Sequence, residues 1–327
     1  ERMDRMIYPM KLRAPLKDYL WGGTRLKTEY GRKTPLAKVA ESWELACHKE
    51  DQSVIENGAD AGLTLEAYIA REGAHAALGS HGSRYPYFPL LIKLIDAHDD
   101  LSVQVHPDDS YAFEHEGEYG KMEMWYILDA EPGAEIIYGF KEEISREECR
   151  QRIEENTLLD VVRRVKVKAG DAIVIPAGTL HAIGRGIFLA EIQQNSDTTY
   201  RVYDYARCGA DGRLRDLHID KALDVLSFAP PAYDVNRGEK FSIFAEHEMT
   251  VVARTEFFTV YHFALKGRCH LQAGRASFQS IIALEGPIEL SWSGGEEILE
   301  KGDSYFIPAS FGDYTMRGEG AFLLTEV

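Results

Sequence analysis

The sequence predicts a mainly β protein built from two small barrels, with a helical insertion in the first. Short runs such as LLIKLI, SVQVH and AIVIP alternate in polarity or are rich in β-branched residues, and Gly, Pro or Asp closes many similar runs. A repeat links the two halves of the chain, and a proline-containing polar stretch separates them. We therefore predict a first domain at residues 1–235 and a second at 236–327.

The first domain carries most of the predicted strands. Further strand-like runs are MWYILD, AEIIYGF, FLAEIQ and TTYRVYDY. Helical pieces interrupt them at residues 63–71 and 217–228, where the pattern is compatible with a helix. Ser145 and Glu148 form a capping box, which predicts a charged helical insert at about 141–164.

The second domain begins after the segment APPAYDVNRGEK, whose two prolines and polar turn residues end the periodicity. Beyond it, LEKGDSYFIPASFGDYT repeats the earlier VKAGDAIVIPAGTLHAI, with the GD and IPA elements aligned. The later copy has Ser310 in place of the turn glycine Gly178, and Asp313 in place of His181. We therefore expect the second barrel to keep the scaffold without binding a metal.

Composition and charge restrict the molecules that the chain can bind and the compartment in which we expect it. A formal net charge of −16 argues against nucleic acid, because the overall field would repel its phosphates. The N-terminal ERMDRMIYPMKLRAPL is too charged for a signal peptide or membrane span. The four scattered cysteines include no CxxC pair, which is typical of thiols in a reducing cytoplasm. No apolar stripe or heptad repeat indicates an oligomeric state.

Histidines and a carboxylate in the first domain have a pattern typical of a metal site. In SVQVHPDD, Gln104 and His106 lie two residues apart, so their side chains leave one face of a strand. Downstream, KMEMWYIL offers Glu123, and GDAIVIPAGTLH places His181 just beyond a tight turn. A single histidine is more often a core residue than a ligand, so the prediction depends on the combination. Two imidazoles, a carboxylate and an amide oxygen can bind a divalent ion and leave room for substrate.

The segment GDAIVIPAGTLH also matches the second sequence motif of the cupins, which are jelly-roll β-barrels, although the trailing Asn of that motif is absent. The first motif departs from the usual cupin HxH and reads QVH followed by PDD. At these residues the chain resembles the type I mannose-6-phosphate isomerases in their short bacterial form. The resemblance covers most of the chain, in the family's order, through YLWGG, AESWELA, FPLLIKLIDA, SVQVHPDD, GKMEMWYIL, IPAGTLHAIG and EIQQNSDTTYRVYDY.

This resemblance implies a cytoplasmic zinc enzyme, with one ion per chain, that interconverts mannose 6-phosphate and fructose 6-phosphate through an enediol. The metal ligands that it implies are Gln104, His106, Glu123 and His181. The further positions that it places around the sugar phosphate are Lys93, Ser102, Lys121, Glu191 and Arg201.

The implied reaction gives these residues separate roles. Arg201 is expected to stabilise negative charge on the sugar oxygens. Glu191 is the first candidate for the general base and Lys121 the second, and the sequence alone does not choose between them. Lys93 and Ser102 are expected on the phosphate side, away from the metal.

Two other functions remain open at the level of sequence. The same ligands could hold Fe²⁺ or Mn²⁺ for another cupin reaction, such as isomerisation of a different sugar phosphate. The chain could instead be a sugar-binding sensor with a vestigial site. The intact ligand set and Arg201 argue against a sensor, as does the lack of a recognisable DNA-binding segment.

Overall fold

The computed structural model describes residues 7–209, 211–232, 234–236, 238–243 and 245–327. Part of the charged N-terminal stretch and two positions of APPAYDVNRGEK lie outside these residues. Contacts divide the chain into a central unit, residues 16–42 and 93–236, and a terminal unit made of the segment before residue 16, residues 43–92 and the segment from 237 onward. The division into domains at 1–235 and 236–327 stays a prediction.

The strands, in chain order, are β1 (Met10–Arg13), β2 (Leu16–Lys17), β3 (Glu41–Leu45), β4 (Cys47–His48), β5 (Asp51–Gln52), β6 (Val54–Ile55), β7 (Leu90–Ala97), β8 (Val103–Val105), β9 (Glu123–Ala130), β10 (Glu135–Phe140), β11 (Val162–Lys166), β12 (Ala172–Ile175), β13 (His181–Ile183), β14 (Ile187–Gln194), β15 (Tyr200–Tyr203), β16 (Glu239–Ile243), β17 (His247–Arg254), β18 (Thr259–Ala273), β19 (Gln279–Glu285), β20 (Ile288–Trp292), β21 (Gly295–Leu299), β22 (Ser304–Ile307) and β23 (Gly312–Glu326). The helices are α1 (Arg25–Thr28), α2 (Leu65–Glu72), α3 (Ala74–Gly82), α4 (Asp109–His115), α5 (Arg146–Glu154) and α6 (Ile219–Val225), with single 3₁₀ turns at Gly58–Asp60 and Leu158–Asp160. The prediction of a mainly β chain is confirmed. None of the helices in the described part of the chain has the length and apolar character needed to cross a membrane.

Two sheets carry the predicted metal site. One is five-stranded, in the order β11-β10-β13-β8-β15, and the other is six-stranded, in the order β12-β9-β14-β7-β3-β2. Side chains from both sheets, among them Trp125, Ile173 and Tyr138, share one buried apolar core. Among the described residues, neither strand order closes on itself, so this jelly roll is a sandwich of two sheets.

Helices α5 and α6 cover one face of the five-stranded sheet. Their residues Cys149 and Leu223 belong to the same apolar cluster as Val103 of β8. The Ser145 hydroxyl accepts a hydrogen bond of 3.0 Å from the Glu148 amide, which caps the start of α5 as the sequence predicts. The helix is shorter than the predicted insert at 141–164, because it ends at Glu154 and the chain then pairs with β10 as strand β11.

The terminal unit contains a ten-stranded sheet, with β16-β17-β18-β23-β19-β22-β1-β6 as its main path. Strands β18 and β23 pair along their whole length, from Thr259 opposite Glu326 to Ala273 opposite Gly312. Alternate residues of these strands point into an apolar core that includes Phe263 and Phe322. The C-terminal part of the chain is therefore mainly β, with an apolar core of its own.

Candidate metal centre and pocket

Three of the predicted ligands converge inside the central unit. His106 directly follows β8, Glu123 begins β9 and His181 begins β13. The two imidazole Nε2 atoms lie 3.1 Å apart. The Glu123 carboxylate reaches both, at 3.5 Å from His106 Nε2 and 3.3 Å from His181 Nε2. All three side chains are buried, and the structure brings these three residues together in one cluster that could hold a metal ion. Their role as ligands stays a prediction.

Backbone carbonyls fix the orientation of both imidazoles. His106 Nδ1 lies 2.8 Å from the Thr198 carbonyl oxygen, and His181 Nδ1 lies 2.8 Å from that of Thr179. A carbonyl accepts only, so each Nδ1 carries the proton and each Nε2 presents its lone pair to the cluster. Burial lowers the pKa of His181 to about 4 and that of His106 well below its ordinary value, so both rings are neutral at pH 7.

The geometry and charge of this trio fit a divalent metal ion. Ligand atoms at about 2.0–2.1 Å from a tetrahedral ion are separated from one another by about 3.3 Å, close to the separations found here. Glu123 Oε1 accepts no hydrogen bond from a described residue, and Oε2 faces the Lys121 ammonium at 2.9 Å. Burial and the charge of Glu191 raise the pKa of Glu123. A cation at the two Nε2 atoms would compensate this buried carboxylate.

Gln104 lies beside the trio in a position from which its amide could complete the ligand set. It is the direct cross-strand partner of His181, and its Nε2 lies 3.5 Å from His181 Nε2. Its Oε1 accepts a 3.4 Å hydrogen bond from the Ser102 hydroxyl. A half-turn of the amide would bring the oxygen toward the imidazoles. The role of Gln104 as the fourth ligand stays a prediction.

A cavity of about 510 Å³ opens beside the trio, entirely within the central unit. Its lining includes every predicted site residue outside the trio, together with several that the sequence did not single out. The lining residues are Tyr19, Leu20, Trp21, Glu41, Lys93, Ile95, Leu101, Ser102, Gln104, Lys121, Ile183, Glu191, Asp197, Thr199, Arg201, Gly209 and Arg215. The volume suits a small polar ligand.

Two buried lysines, Lys93 and Lys121, line this cavity. Lys121 Nζ lies 2.9 Å from Glu123 Oε2 and 3.1 Å from His106 Nε2. Burial disfavours the charged form of Lys121, but the carboxylates of Glu123 and Glu191 outweigh burial and raise its pKa. Lys93 is also protonated, because the surrounding carboxylates outweigh its burial and raise its pKa. Both lysines are therefore cations in the resting protein.

Glu191 lies between the two lysines. Its Oε1 is 3.6 Å from Lys93 Nζ and 4.0 Å from Lys121 Nζ, and its Oε2 accepts a 2.9 Å hydrogen bond from Trp125 Nε1. Burial opposes ionisation, but Lys121, Lys93 and the Trp125 hydrogen bond together lower the pKa of Glu191. A buried yet ionised carboxylate therefore faces the cavity.

Arg201 belongs to a row of side chains across the five-stranded sheet. It is the cross-strand partner of Gln104, which in turn pairs with His181. Residues opposite each other in adjacent strands project from the same face, so Arg201 shares the cavity with the metal trio. Its Nη1 donates a 3.0 Å hydrogen bond to the Asp216 carbonyl, and its buried Nε has no hydrogen-bond partner among the described residues.

In the C-terminal repeat, the residue that the sequence aligns with His181 is exposed. This residue, Asp313, accepts a 2.8 Å hydrogen bond from Gln272. The next residue, Tyr314, points into the core instead, because successive side chains of a strand alternate between its faces. Its hydroxyl donates a 2.6 Å hydrogen bond to Gln279 Oε1. Within the described residues, the only His, Cys, Asp and Glu cluster suited to a metal is the central trio.

Sequence reasoning missed the acidic residue Asp197 and the basic residue Arg215. Asp197 Oδ1 lies 3.5 Å from Lys93 Nζ, and Arg215 lines the cavity. Asp197 falls inside the motif EIQQNSDTTYRVYDY, and Arg215 follows it in an Arg-rich loop, but neither had a pattern that assigned it to the site.

Comparison with known proteins identifies the family. Residues 10–128 match the family model of the phosphomannose isomerase type I catalytic domain, and residues 247–327 match that of the mannose-6-phosphate isomerase cupin domain. The chain is 40% identical to mannose-6-phosphate isomerase from Streptococcus mutans, over 96% of each sequence, and 39% identical to mannose-6-phosphate isomerase ManA from Bacillus subtilis, over 95% of this chain and 96% of the relative.

Solved structures agree with the sequence matches. The crystal structure of mannose 6-phosphate isomerase from Bacillus subtilis superimposes with a TM-score of 0.88 at 34% identity, covering 98% of this chain and 99% of that chain. A structure from Archaeoglobus fulgidus, at 22% identity and a TM-score of 0.79, shows the same fold. The chain therefore belongs to the family of type I mannose-6-phosphate isomerases, which are cupin enzymes.

Proposed function

We propose that this protein interconverts mannose 6-phosphate and fructose 6-phosphate through an enediol, with one zinc ion per chain. The observation that carries the proposal is the buried trio His106, Glu123 and His181 beside a cavity lined by four basic and three acidic side chains. The relatives that match nearly the whole chain carry the name of this activity. A cytoplasmic location and a sugar phosphate as the partner follow from the same proposal.

The proposed zinc site uses the trio together with the Gln104 amide. Two neutral imidazoles, one carboxylate and one amide leave a Zn²⁺ site with net positive charge, which suits the binding of a sugar oxygen. When bound, the ion supplies Lewis-acid stabilisation of the negative charge that develops on the sugar oxygens. Similar donors bind Fe²⁺ and Mn²⁺, so the choice of zinc is part of the proposal.

Glu191 is our proposed general base for moving the proton between C2 and C1. It is ionised, buried and directed at the cavity, so it can accept a proton from carbon without prior loss of its own. The hydrogen bond from Trp125 fixes one carboxylate oxygen and leaves the other toward the lysines. Lys121 is protonated beside Glu123 and is therefore the poorer base. We assign Lys121 to charge stabilisation near the reacting carbons.

The remaining residues of the cavity bind the substrate. Arg201 is assigned to stabilising the enediol oxygens, since it lines the cavity and its buried Nε has no hydrogen-bond partner among the described residues. Lys93 and Ser102 are proposed as substrate-binding residues on the same wall.

A coupled assay tests the activity directly. Fructose 6-phosphate formed from mannose 6-phosphate is converted by excess phosphoglucose isomerase and glucose-6-phosphate dehydrogenase, with NADPH as the readout. We expect turnover that depends on protein concentration and stops on chelation. Binding of mannose 6-phosphate without turnover by the metal-loaded protein would instead indicate the sensor function, and turnover of a different sugar phosphate would indicate another cupin isomerase.

A further inference from the structure

A buried carboxylate that has no role in the proposed reaction lies close to the metal trio along the chain. Glu118 is 8% exposed and belongs to the loop between α4 and β9, which also carries Lys121. It does not line the cavity. A buried carboxylate is destabilising unless hydrogen bonds or charges compensate it, so its partners indicate what it holds in place.

Two hydrogen bonds to Glu118 Oε1 come from one short segment that follows β14. The Thr198 hydroxyl donates the first, and the Ser196 hydroxyl donates the second at 3.2 Å. The Ser196 hydroxyl oxygen in turn accepts a 3.2 Å hydrogen bond from the Thr198 amide. Glu118 therefore holds Thr198 at its hydroxyl directly and at its amide through Ser196.

The carbonyl of Thr198 is the acceptor that orients His106, at 2.8 Å from Nδ1. The corresponding acceptor for His181 is Thr179, which lies only two residues earlier in the same turn. Thr198 instead lies 92 residues after His106, so it reaches the metal trio only through tertiary contacts. The orientation of His106 therefore depends on how firmly the segment around Thr198 is held.

Glu118 joins two stretches of chain that both lead to the metal trio. Nearer the strands, the Met122 amide donates a 2.9 Å hydrogen bond to Gln194 Oε1, and the Gln194 amide donates a 3.1 Å hydrogen bond to the Met122 carbonyl. Farther along, Glu118 and the two hydroxyls make the next contact between the same stretches. One stretch continues into Glu123 of the trio and the other carries the acceptor for His106, so the contact links a carboxylate and an imidazole of the trio.

We propose that Glu118 is a positioning residue of the metal centre, which holds the segment 196–198 so that the Thr198 carbonyl orients His106 toward the ion. The inference rests on the proposed function for the presence of a metal ion at the trio. Partners that orient a metal-binding histidine contribute about 10- to 100-fold to metal affinity. Glu118 acts on His106 through Thr198 and is assigned no contact with the ion or the substrate.

The affinity of the full-length protein for Zn²⁺, measured by competition with a chromophoric chelator, tests this role. We expect Glu118→Leu, which has a similar volume but no acceptor, to weaken zinc binding by about 10- to 100-fold. Glu118→Gln should retain most of the affinity, because its amide oxygen can accept both hydrogen bonds. Thr198→Val keeps the carbonyl and loses one hydroxyl contact, so it should weaken zinc binding by about 3- to 10-fold. Added to Glu118→Leu, the Thr198 change should have little further effect, because that hydrogen bond is already absent.

Glu116→Leu is the matched control. Glu116 lies two residues before Glu118, and its Oε1 accepts hydrogen bonds from the Tyr200 hydroxyl at 2.7 Å and from Lys221 Nζ at 2.6 Å. The replacement removes a carboxylate with two donors, as Glu118→Leu does, so the melting temperature should fall. The contacts that hold Thr198 remain, so the zinc affinity should stay at the wild-type value.

A purely structural role for Glu118 gives a different result. Glu118→Leu would then melt earlier while its folded form binds zinc as tightly as wild type, which would overturn the inference. We expect this variant to fold, because Gln193 Nε2 still donates a 2.6 Å hydrogen bond to the Ser196 carbonyl in the same segment. If it does not fold, Thr198→Val decides, and an unchanged zinc affinity in that variant would count against the positioning role.

The outcomes separate this inference from the proposed function. A wild type that binds zinc and isomerises mannose 6-phosphate, with unchanged zinc affinity in Glu118→Leu, would contradict the inference alone. A wild type that binds zinc without isomerising mannose 6-phosphate, with weakened binding in Glu118→Leu, would contradict the proposed activity and support the positioning role. Failure of the wild type to bind zinc would contradict both.

Discussion

Replacement of Glu191 by Gln tests the proposed proton transfer most directly. The variant keeps the shape of the side chain, and the amide oxygen can still accept the hydrogen bond that Trp125 Nε1 donates over 2.9 Å. The variant loses the carboxylate that accepts the proton. Both buried ammonium groups keep other partners, because Lys93 retains two carboxylates at 3.5 Å and Lys121 retains one at 2.9 Å. We therefore expect the variant to fold and to bind metal.

The expected loss of rate follows from these contacts. Removing a positioned general base lowers kcat by about 10²–10⁴-fold, or roughly 3–5 kcal/mol in the barrier. The electrostatic effect on the lysines is smaller, since the lost carboxylate is the farthest of the three around Lys93, at 3.6 Å, and lies 4.0 Å from Lys121. The Michaelis constant should accordingly change much less than kcat.

The coupled assay measures both constants, and Glu41→Gln is the matched control. Glu41 lies 3.5 Å from Lys93 Nζ, nearly the same distance as Glu191, so its replacement removes a similar charge without removing the proposed base. Its kcat should fall by well under ~100-fold, the lower bound for a lost base. A Glu191→Gln enzyme within tenfold of wild type, or equal losses in the two variants, would refute the assignment of the base.

Three further predictions concern charge stabilisation, pH and the C-terminal strands. Arg201→Ala should retain metal, as measured by elemental analysis, while kcat falls by at least ~100-fold, the scale of losing one preorganised donor. Burial lowers the pKa of His181 to about 4 from an ordinary 6.5, so the unfolded chain binds the proton first as pH falls. The free energy of unfolding of the metal-free protein should therefore be unaffected by this residue above pH ~6.5 and fall by up to ~3 kcal/mol as the pH drops from ~6.5 to ~4. Denaturant titrations of His181→Gln should show a smaller decline over the same range. A chain truncated after residue 235 lacks β22, the strand that pairs with β1 through Phe306 and Met10. Its melting temperature should therefore fall, while it keeps its metal. An unchanged melting temperature would contradict this prediction.

The sequence predicts the trio because each of its residues is marked by a short sequence segment around it. A histidine after the strand VQV, a histidine after the PAG turn and the glutamate within KMEMW each lie where a strand begins or ends. Once the strands assemble into two layers, such positions converge at one end of the sandwich. The capping pair Ser145 and Glu148 is local in the same sense, and it is confirmed.

What the sequence could not predict depends on register and on distant neighbours. The carboxylates around Lys93 come from residues 41, 191 and 197, so no window of the sequence contains them together. The inward position of Tyr314 depends on the register of β23, because a shift of one residue exchanges the two faces of a strand. Which residues belong to each of the two units likewise depends on pairing between segments that are remote in the sequence.

The relation between metal content and activity tests the central claim most directly. Protein stripped by a chelator and titrated with Zn²⁺ should regain mannose-6-phosphate isomerase activity in proportion to bound ion, reaching its maximum at one ion per chain. His181→Ala should fail to regain either metal or activity, because the trio has lost one of its two imidazoles. Full activity with far less than one ion per chain, or a His181→Ala enzyme as active as wild type, would contradict the account.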